Sequence, residues 1–152
     1  NPQVRVREIK PGVVYDSAGV RITAIPVAHG SWPVAFGYRI DAPGRSIVIS
    51  GDTRPVAALE KASAGVDVLV HEAYSSDNLR PERRPGGADW PTYMHAFHTS
   101  DVELGGIAAR ARPKLLVLTH LGMLGTDSVL IARVRRGGFT GEIAVGKDLQ
   151  RY

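Results

Sequence analysis

Val66-Asp67-Val68-Leu69-Val70-His71-Glu72 is a short apolar run that stops on a histidine and a carboxylate. Its composition reads as a strand covered on both faces. Three more strand-like runs end in the same way. Residues 21–28 end at His29, residues 46–50 lead into Gly51-Asp52, and residues 115–119 end at His120. Strands that alternate with helices tend to lie parallel in one sheet, and such sheets hold ligands outside the carboxyl ends of their strands. If these four runs are neighbours, three imidazoles and two carboxylates reach one edge, which is the donor set of a metal site.

The 152 residues are enough for one unit with a core. A hydrophobic share of 43% and a charged share of 22% are those of an ordinary globular protein. No run of about 18 apolar residues occurs, so no membrane span is expected. There are no cysteines, which excludes disulfides and thiolate ligands. Any metal must be held by imidazole and carboxylate, a set that suits zinc, iron or manganese. The net charge of +4 comes from 15 arginines and four lysines against 15 acids. That balance fits an anionic substrate, but the basic residues are scattered without aromatic interleaving, which argues against a dedicated nucleic-acid surface. The chain starts at Asn1-Pro2 with neither a methionine nor a signal-peptide pattern. A piece of a longer, cytoplasmic protein is expected.

Alternation over residues 4–8 predicts a half-exposed strand, followed by strands over 13–15 and 21–28, with Pro26 implying an edge or irregular strand. Residues 35–41 and 46–50 read as a hairpin across Ala42-Pro43-Gly44-Arg45. Thr53, with Pro55 behind it, predicts a capped helix running to Ala64. Residues 75–95 are rich in Pro, Gly, Arg and Asp and read as one long loop, the kind that serves as a lid. Ser100-Asp101-Val102-Glu103 is a capping-box pattern opening a helix to about Arg112. A helix from Thr126 or Asp127 to Gly137-Gly138 and a short strand over 142–145 complete the unit.

Each site candidate also has a bland reading. Asp52 could merely cap a helix. His29 and His120 could be hydrogen-bonded structural residues. Only one of His71 and Glu72 can face a site on the sheet, because successive strand side chains alternate. His95 and His98 stand three apart before the capped helix, so one face could carry both. Gly105-Gly106 reads as a packing feature, since no Gly-x-Gly-x-x-Gly pattern surrounds it. No Gly-x-Ser-x-Gly elbow supports a serine nucleophile.

The ordered set His29, Phe36-Gly37-Tyr38-Arg39-Ile40, Ser50-Gly51-Asp52-Thr53, Leu69-Val70-His71-Glu72-Ala73, His98-Thr99-Ser100 and Leu118-Thr119-His120 resembles the C-terminal half of a metallo-β-lactamase-fold hydrolase. The nearest branch holds the RNase Z type of tRNA 3′-end endonuclease and related arylsulfatase-like enzymes. The resemblance implies an α/β fold that is half of an αββα sandwich, a mixed sheet with helices packed on it. It implies two divalent cations, with His29 on the first, His120 on the second and Asp52 bridging them. Glu72 and His98 would be the outer pair that assists proton transfer, His71 a supporting residue, and His95 a minor substitute for His98.

The family's His-x-His-x-Asp-His loop is absent from these residues. Two ligands per cation fall short of the three plus water of a catalytic zinc, so the isolated chain is expected to be inactive. Leu121-Gly122-Met123-Leu124 also departs from the Ser-x-Arg-Tyr-like continuation of the tRNA-processing members. That places RNA behind a small phosphodiester, sulfate ester or lactone as the expected substrate, cleaved by a metal-bridged hydroxide. The alternative is a non-catalytic interaction module whose homodimer, or whose pairing with the missing half, completes the sandwich.

Overall fold

In the computed structural model, residues 6–82, 89–122 and 126–152 are described. Seven strands follow one another across a single sheet: β1 (Gly12–Ser17), β2 (Val20–Pro26), β3 (Phe36–Ala42), β4 (Arg45–Ile49), β5 (Val68–Tyr74), β6 (Leu115–Gly122) and β7 (Glu142–Val145). The first four pair antiparallel, where turns of a few residues suffice. The last four pair parallel, and each parallel step requires a crossover. The crossovers carry α1 (Ala57–Ala62), then α2 (Trp90–Phe97) and α3 (Asp101–Ala111), then α4 (Asp127–Arg136). Two antiparallel reversals give β2 the same sense as β4. The carboxyl ends of β2, β4, β5 and β6 therefore share one edge of the sheet.

The core lies on one side of the sheet. Val48, Leu69, Leu116 and Leu118 pack against Leu59 of α1, Leu104 and Ala108 of α3, and Leu130 and Val134 of α4. The residues between them in sequence, Ile47, Ile49, Val68 and Val70, belong to the opposite face and are less well covered, with Ile49 40% exposed. Along that face runs an open groove of about 650 Å³ lined by Ile47, Val70 and Val117 and by Lys147 and Tyr152 of the tail.

The structure corrects several expectations. Residues 6–8 are not in a strand, and the rest of the strand expected over 4–8 lies outside the described residues. Pro26 ends an interior strand, since β2 lies between β1 and β3. Thr53 does not cap α1; the helix starts a turn later behind Val56, because the Thr53 amide and hydroxyl are engaged elsewhere. The stretch expected as one loop over 75–95 contains a 3-10 turn, Ser76–Asn78, and α2, whose N-cap Asp89 accepts from Thr92 N at 2.8 Å with Pro91 in the first turn. Arg83 and Arg84 of that stretch, and Met123 and Leu124 farther on, lie outside the described residues.

The capping box forms as expected: Ser100 Oγ accepts from Glu103 N at 3.3 Å, and Glu103 Oε2 accepts from Ser100 N at 3.0 Å. Helices α3 and α4 then meet backbone to backbone. A Cβ on Gly105 would fall 2.1 Å from Val134 O, and one on Gly137 would fall 2.2 Å from Val102 O. Beside this crossing, buried Arg133 donates to buried Asp101 at 2.6 Å. Among the described residues, no helix is long and apolar enough to cross a membrane.

The glycine pair separates packing from helix propensity. At Gly106 an added methyl meets the flexible tip of Arg110 at 3.3 Å and Gly137 O at an ordinary contact distance of 3.8 Å. In urea melts Gly106→Ala is expected to gain up to about 1 kcal/mol. Gly105→Ala is expected to lose about 1–3 kcal/mol or more, because backbone must move.

Candidate metal and proton-transfer centre

β2 hands the chain to His29 through a close-packed bend. Gly30 has φ +54°, and any side chain there would run into the Phe97 ring, whose nearest atom would lie 2.0 Å from its Cβ. That ring stands edge-on to His29 at 5.0 Å. His29 Nδ1 lies 2.9 Å from Phe97 O. A carbonyl only accepts, so Nδ1 donates here and Nε2 is the nitrogen left for another partner.

β4 ends in the Ser50-Gly51-Asp52-Thr53 turn. Gly51 has φ +61°, and a Cβ there would be 2.8 Å from Phe36 O. The turn is sewn to both neighbours. Thr53 Oγ1 accepts from Ala28 N at 3.2 Å, and Ser50 Oγ accepts from Glu72 N at 3.1 Å. Asp52 caps no helix, since α1 has Val56 as its N-cap. Its half-exposed carboxylate stands 3.3 Å from His120 Nε2.

β5 settles the His71–Glu72 alternative by its period of two. His71 is 1% exposed, and burial pushes its pKa down, so it is a neutral ring. Its Nδ1 donates to Glu72 O at 2.7 Å. It takes no part in the donor cluster. Glu72, also 1% exposed, turns to the other side. Its Oε1 accepts from Thr53 N at 3.0 Å, from His98 Nδ1 at 3.0 Å and from Thr99 N at 3.3 Å. The hydrogen bond to Glu72 holds the His98 pKa above its ordinary value; burial opposes this, while the charges of Glu72 and Asp52 add to it.

β6 places His120 by a bulge. Glu72 pairs with Thr119 and Ala73 with Leu121, leaving His120 as the extra residue with φ +44°. Bulges commonly re-aim a side chain beside a site. Here the imidazole is 60% exposed and reaches back to Asp52.

Donor atoms of His29, Asp52 and His98 lie within 4.8 Å of one another. The His29 and His98 rings are 5.2 Å apart, and the His98 and His120 rings 5.8 Å. The residues expected as ligands and the pair expected to move protons therefore share one site, with Asp52 in reach of both sides. His95 is exposed on the last turn of α2 and is not part of the cluster. The donor set fits a divalent cation. His29 has Nδ1 occupied by an oxygen acceptor, the outer hydrogen bond that orients metal-binding imidazoles. Sequence reasoning missed Thr53, Thr99 and the Phe97 carbonyl. The two carry their bonds through backbone groups or a hydroxyl, and no spacing marks the carbonyl.

Residues 1–121 match the family model described as "Beta-lactamase superfamily domain". The chain is 34% identical over 155 residues to a ribonuclease Z of Mycobacterium avium, covering 99% of this chain and 53% of that protein. It is 33% identical over 154 residues to ribonuclease Z of Mycobacterium tuberculosis, covering 99% and 54%. Among solved structures, the metallo-beta-lactamase fold protein YhfI of Bacillus subtilis superposes with a TM-score of 0.67 at 24% identity, over 88% of this chain and 49% of that one. The short form of human tRNase Z superposes with a TM-score of 0.63 at 21% identity, over 91% and 43%. The chain thus spans about half the length of the curated relatives it matches. It belongs to the β-lactamase superfamily and has the metallo-β-lactamase fold.

The Glu72 carboxylate is expected to hold the centre together mechanically. Glu72→Ala strands the amides of Thr53 and Thr99, and a buried unsatisfied group costs about 1–3 kcal/mol. Chemical denaturation should show a loss of at least about 2 kcal/mol. Glu72→Gln, which keeps an acceptor oxygen, should lose markedly less.

Proposed function

We propose that this superfamily member supplies one half of a metal-dependent phosphodiester hydrolase that acts on RNA. The reading rests on one observation above all. Asp52 stands within reach of His29 and His98 on one side and within 3.3 Å of His120 on the other, as a carboxylate shared between two cations would. We read the 152 residues as one unit, a reading supported by the single sheet that runs through the described residues. We assign His29 and Asp52 to one cation and Asp52 and His120 to a second. Zinc is the foremost candidate for an imidazole and carboxylate set, with iron or manganese as alternatives. Bound cations would supply Lewis-acid activation of water and neutralise charge on the ester.

His98 we assign to the leaving oxygen rather than to a cation. Glu72 raises its affinity for a proton, and a ligand would need the bare Nε2 lone pair. With Nδ1 tied to Glu72, the mobile proton sits on Nε2, on the side of Asp52 and His29. The relatives named ribonuclease Z move RNA ahead of the small phosphodiester, sulfate ester or lactone that Leu121-Gly122 favours in the sequence. The net charge of +4 suits a polyanion, and a cytoplasmic setting suits that substrate. Two donors per cation remain too few, so the further ligands come from the remaining length of the complete protein, and this chain alone is inactive.

In the complete protein, Asp52→Ala should abolish hydrolysis of an RNA phosphodiester and lower metal content by elemental analysis. Unchanged activity would overturn the assignment. His98→Ala should keep the metal while kcat falls about 10²–10⁴-fold. Loss of metal in that variant would instead make His98 a ligand.

A second reading is favoured by the half-exposed outer face at Ile47, Ile49, Val68 and Val70. Apolar faces of this kind are covered in use, either by the other half of the sandwich or by a second copy of the chain. Light scattering on the isolated chain should show self-association. A monomer at every concentration would leave only the intramolecular cover.

A further inference from the structure

A cavity of about 260 Å³ opens beside the proton-transfer pair. Its walls come from two places that the sequence keeps far apart. α2 contributes Trp90, Tyr93 and Met94, while the end of β6 contributes Leu121 and Gly122. Its inner edge is formed by His98 together with Glu72 and His120. The side chains of α2 are fixed by ring contacts. Tyr93 stacks on Phe97 at 4.5 Å and 22°, Trp90 meets Tyr93 edge-on at 6.0 Å, and Phe97 meets His29 edge-on. At Gly122 the missing side chain keeps the space open, since a Cβ there would be 3.2 Å from the Met94 methyl.

The cavity is thus walled by aromatic and apolar groups and is polar only where it meets the histidines and Glu72. A ligand that fits it has a flat, ring-shaped body and, with cations bound at the neighbouring edge, an anionic handle at one end. A volume of this size is at the small end of ligand pockets and suits one ring system rather than a chain of them.

We propose that this cavity receives the nucleobase of a nucleotide flanking the scissile phosphodiester, stacked on the Tyr93 ring with its edge to Trp90, while its phosphate reaches the His29–Asp52–His120 edge. This inference rests on the phosphodiesterase reading and adds to it the means by which a single base is gripped. Stacking on aromatic side chains tolerates every base, because each has a π-face. The site would therefore grip a nucleotide without selecting its sequence.

Equilibrium binding to the complete protein tests the proposal without turnover, using adenosine monophosphate, ribose 5-phosphate and hexyl phosphate. The nucleotide should bind about 5- to 150-fold more tightly than ribose 5-phosphate. Tyr93→Ala should collapse that ratio towards one, while Tyr93→Phe should preserve it. Should a thermal melt show Tyr93→Ala unfolded, Trp90→Ala carries the same expectation. Equal affinity for nucleotide and ribose phosphate would overturn the proposal. So would hexyl phosphate matching the nucleotide, or a ratio that survives loss of the ring. Base discrimination without phosphodiester cleavage would leave the cavity assigned and remove the nuclease reading. Cleavage without base discrimination would do the reverse.

Discussion

The Glu72 carboxylate is the point through which the working edge of this protein is organised. A carboxylate withdrawn from water costs several kcal/mol unless donors replace the lost hydration. Here one oxygen receives three of them, from the turn after β4, from the His98 ring and from the first residues ahead of α3. The Thr99 hydroxyl closes the circuit by donating to Thr53 O at 2.7 Å. Three segments far apart in the chain are thereby held at fixed distances before any ligand arrives. A centre of this kind has little reorganisation left to do when charge develops in it.

The sheet does the coarser positioning. Its antiparallel half brings His29 to the edge on a strand that has reversed twice, and its parallel half brings Asp52, Glu72 and His120 to the same edge directly. The helices on one face supply the hydrophobic core. The other face is partly apolar, and the centre depends on the sheet's end rather than on that broad side.

Much of this was legible because it depends on local periodicity. The apolar runs that end in His71-Glu72 and at His120 are strands, the Ser100–Glu103 box opens a helix, and Gly105 is a packing glycine. The alternation rule alone separates His71 from Glu72. Misreadings arose where a residue's partner lies far away. Thr53 has the residue type and position of a cap, yet its hydroxyl and amide are claimed by Ala28 and Glu72. α2 was hidden by the density of proline and glycine before it, although Asp89-Trp90-Pro91 carries a start signal of the usual kind. The bulge that swings His120 towards Asp52 is a property of two strands in register, and neither strand encodes it alone.

The excursion between β5 and α3 is stitched shut at its base. Tyr74 N donates to Thr99 O at 3.1 Å, Ser75 N to Gly122 O at 3.0 Å, and Ser76 Oγ to Asp101 at 2.9 Å. Between those stitches and α2 the chain runs over residues 79–89, and doubling the length of such a loop adds only about 0.6 kcal/mol of closure entropy. Descendants of this chain can therefore lengthen or shorten the stretch ahead of Trp90 while the sheet beneath keeps its register, whereas the end of α2 is held by the site, where Phe97 O meets His29 Nδ1 at 2.9 Å. What approaches the site can change with that one stretch, and the side chains underneath are inherited intact.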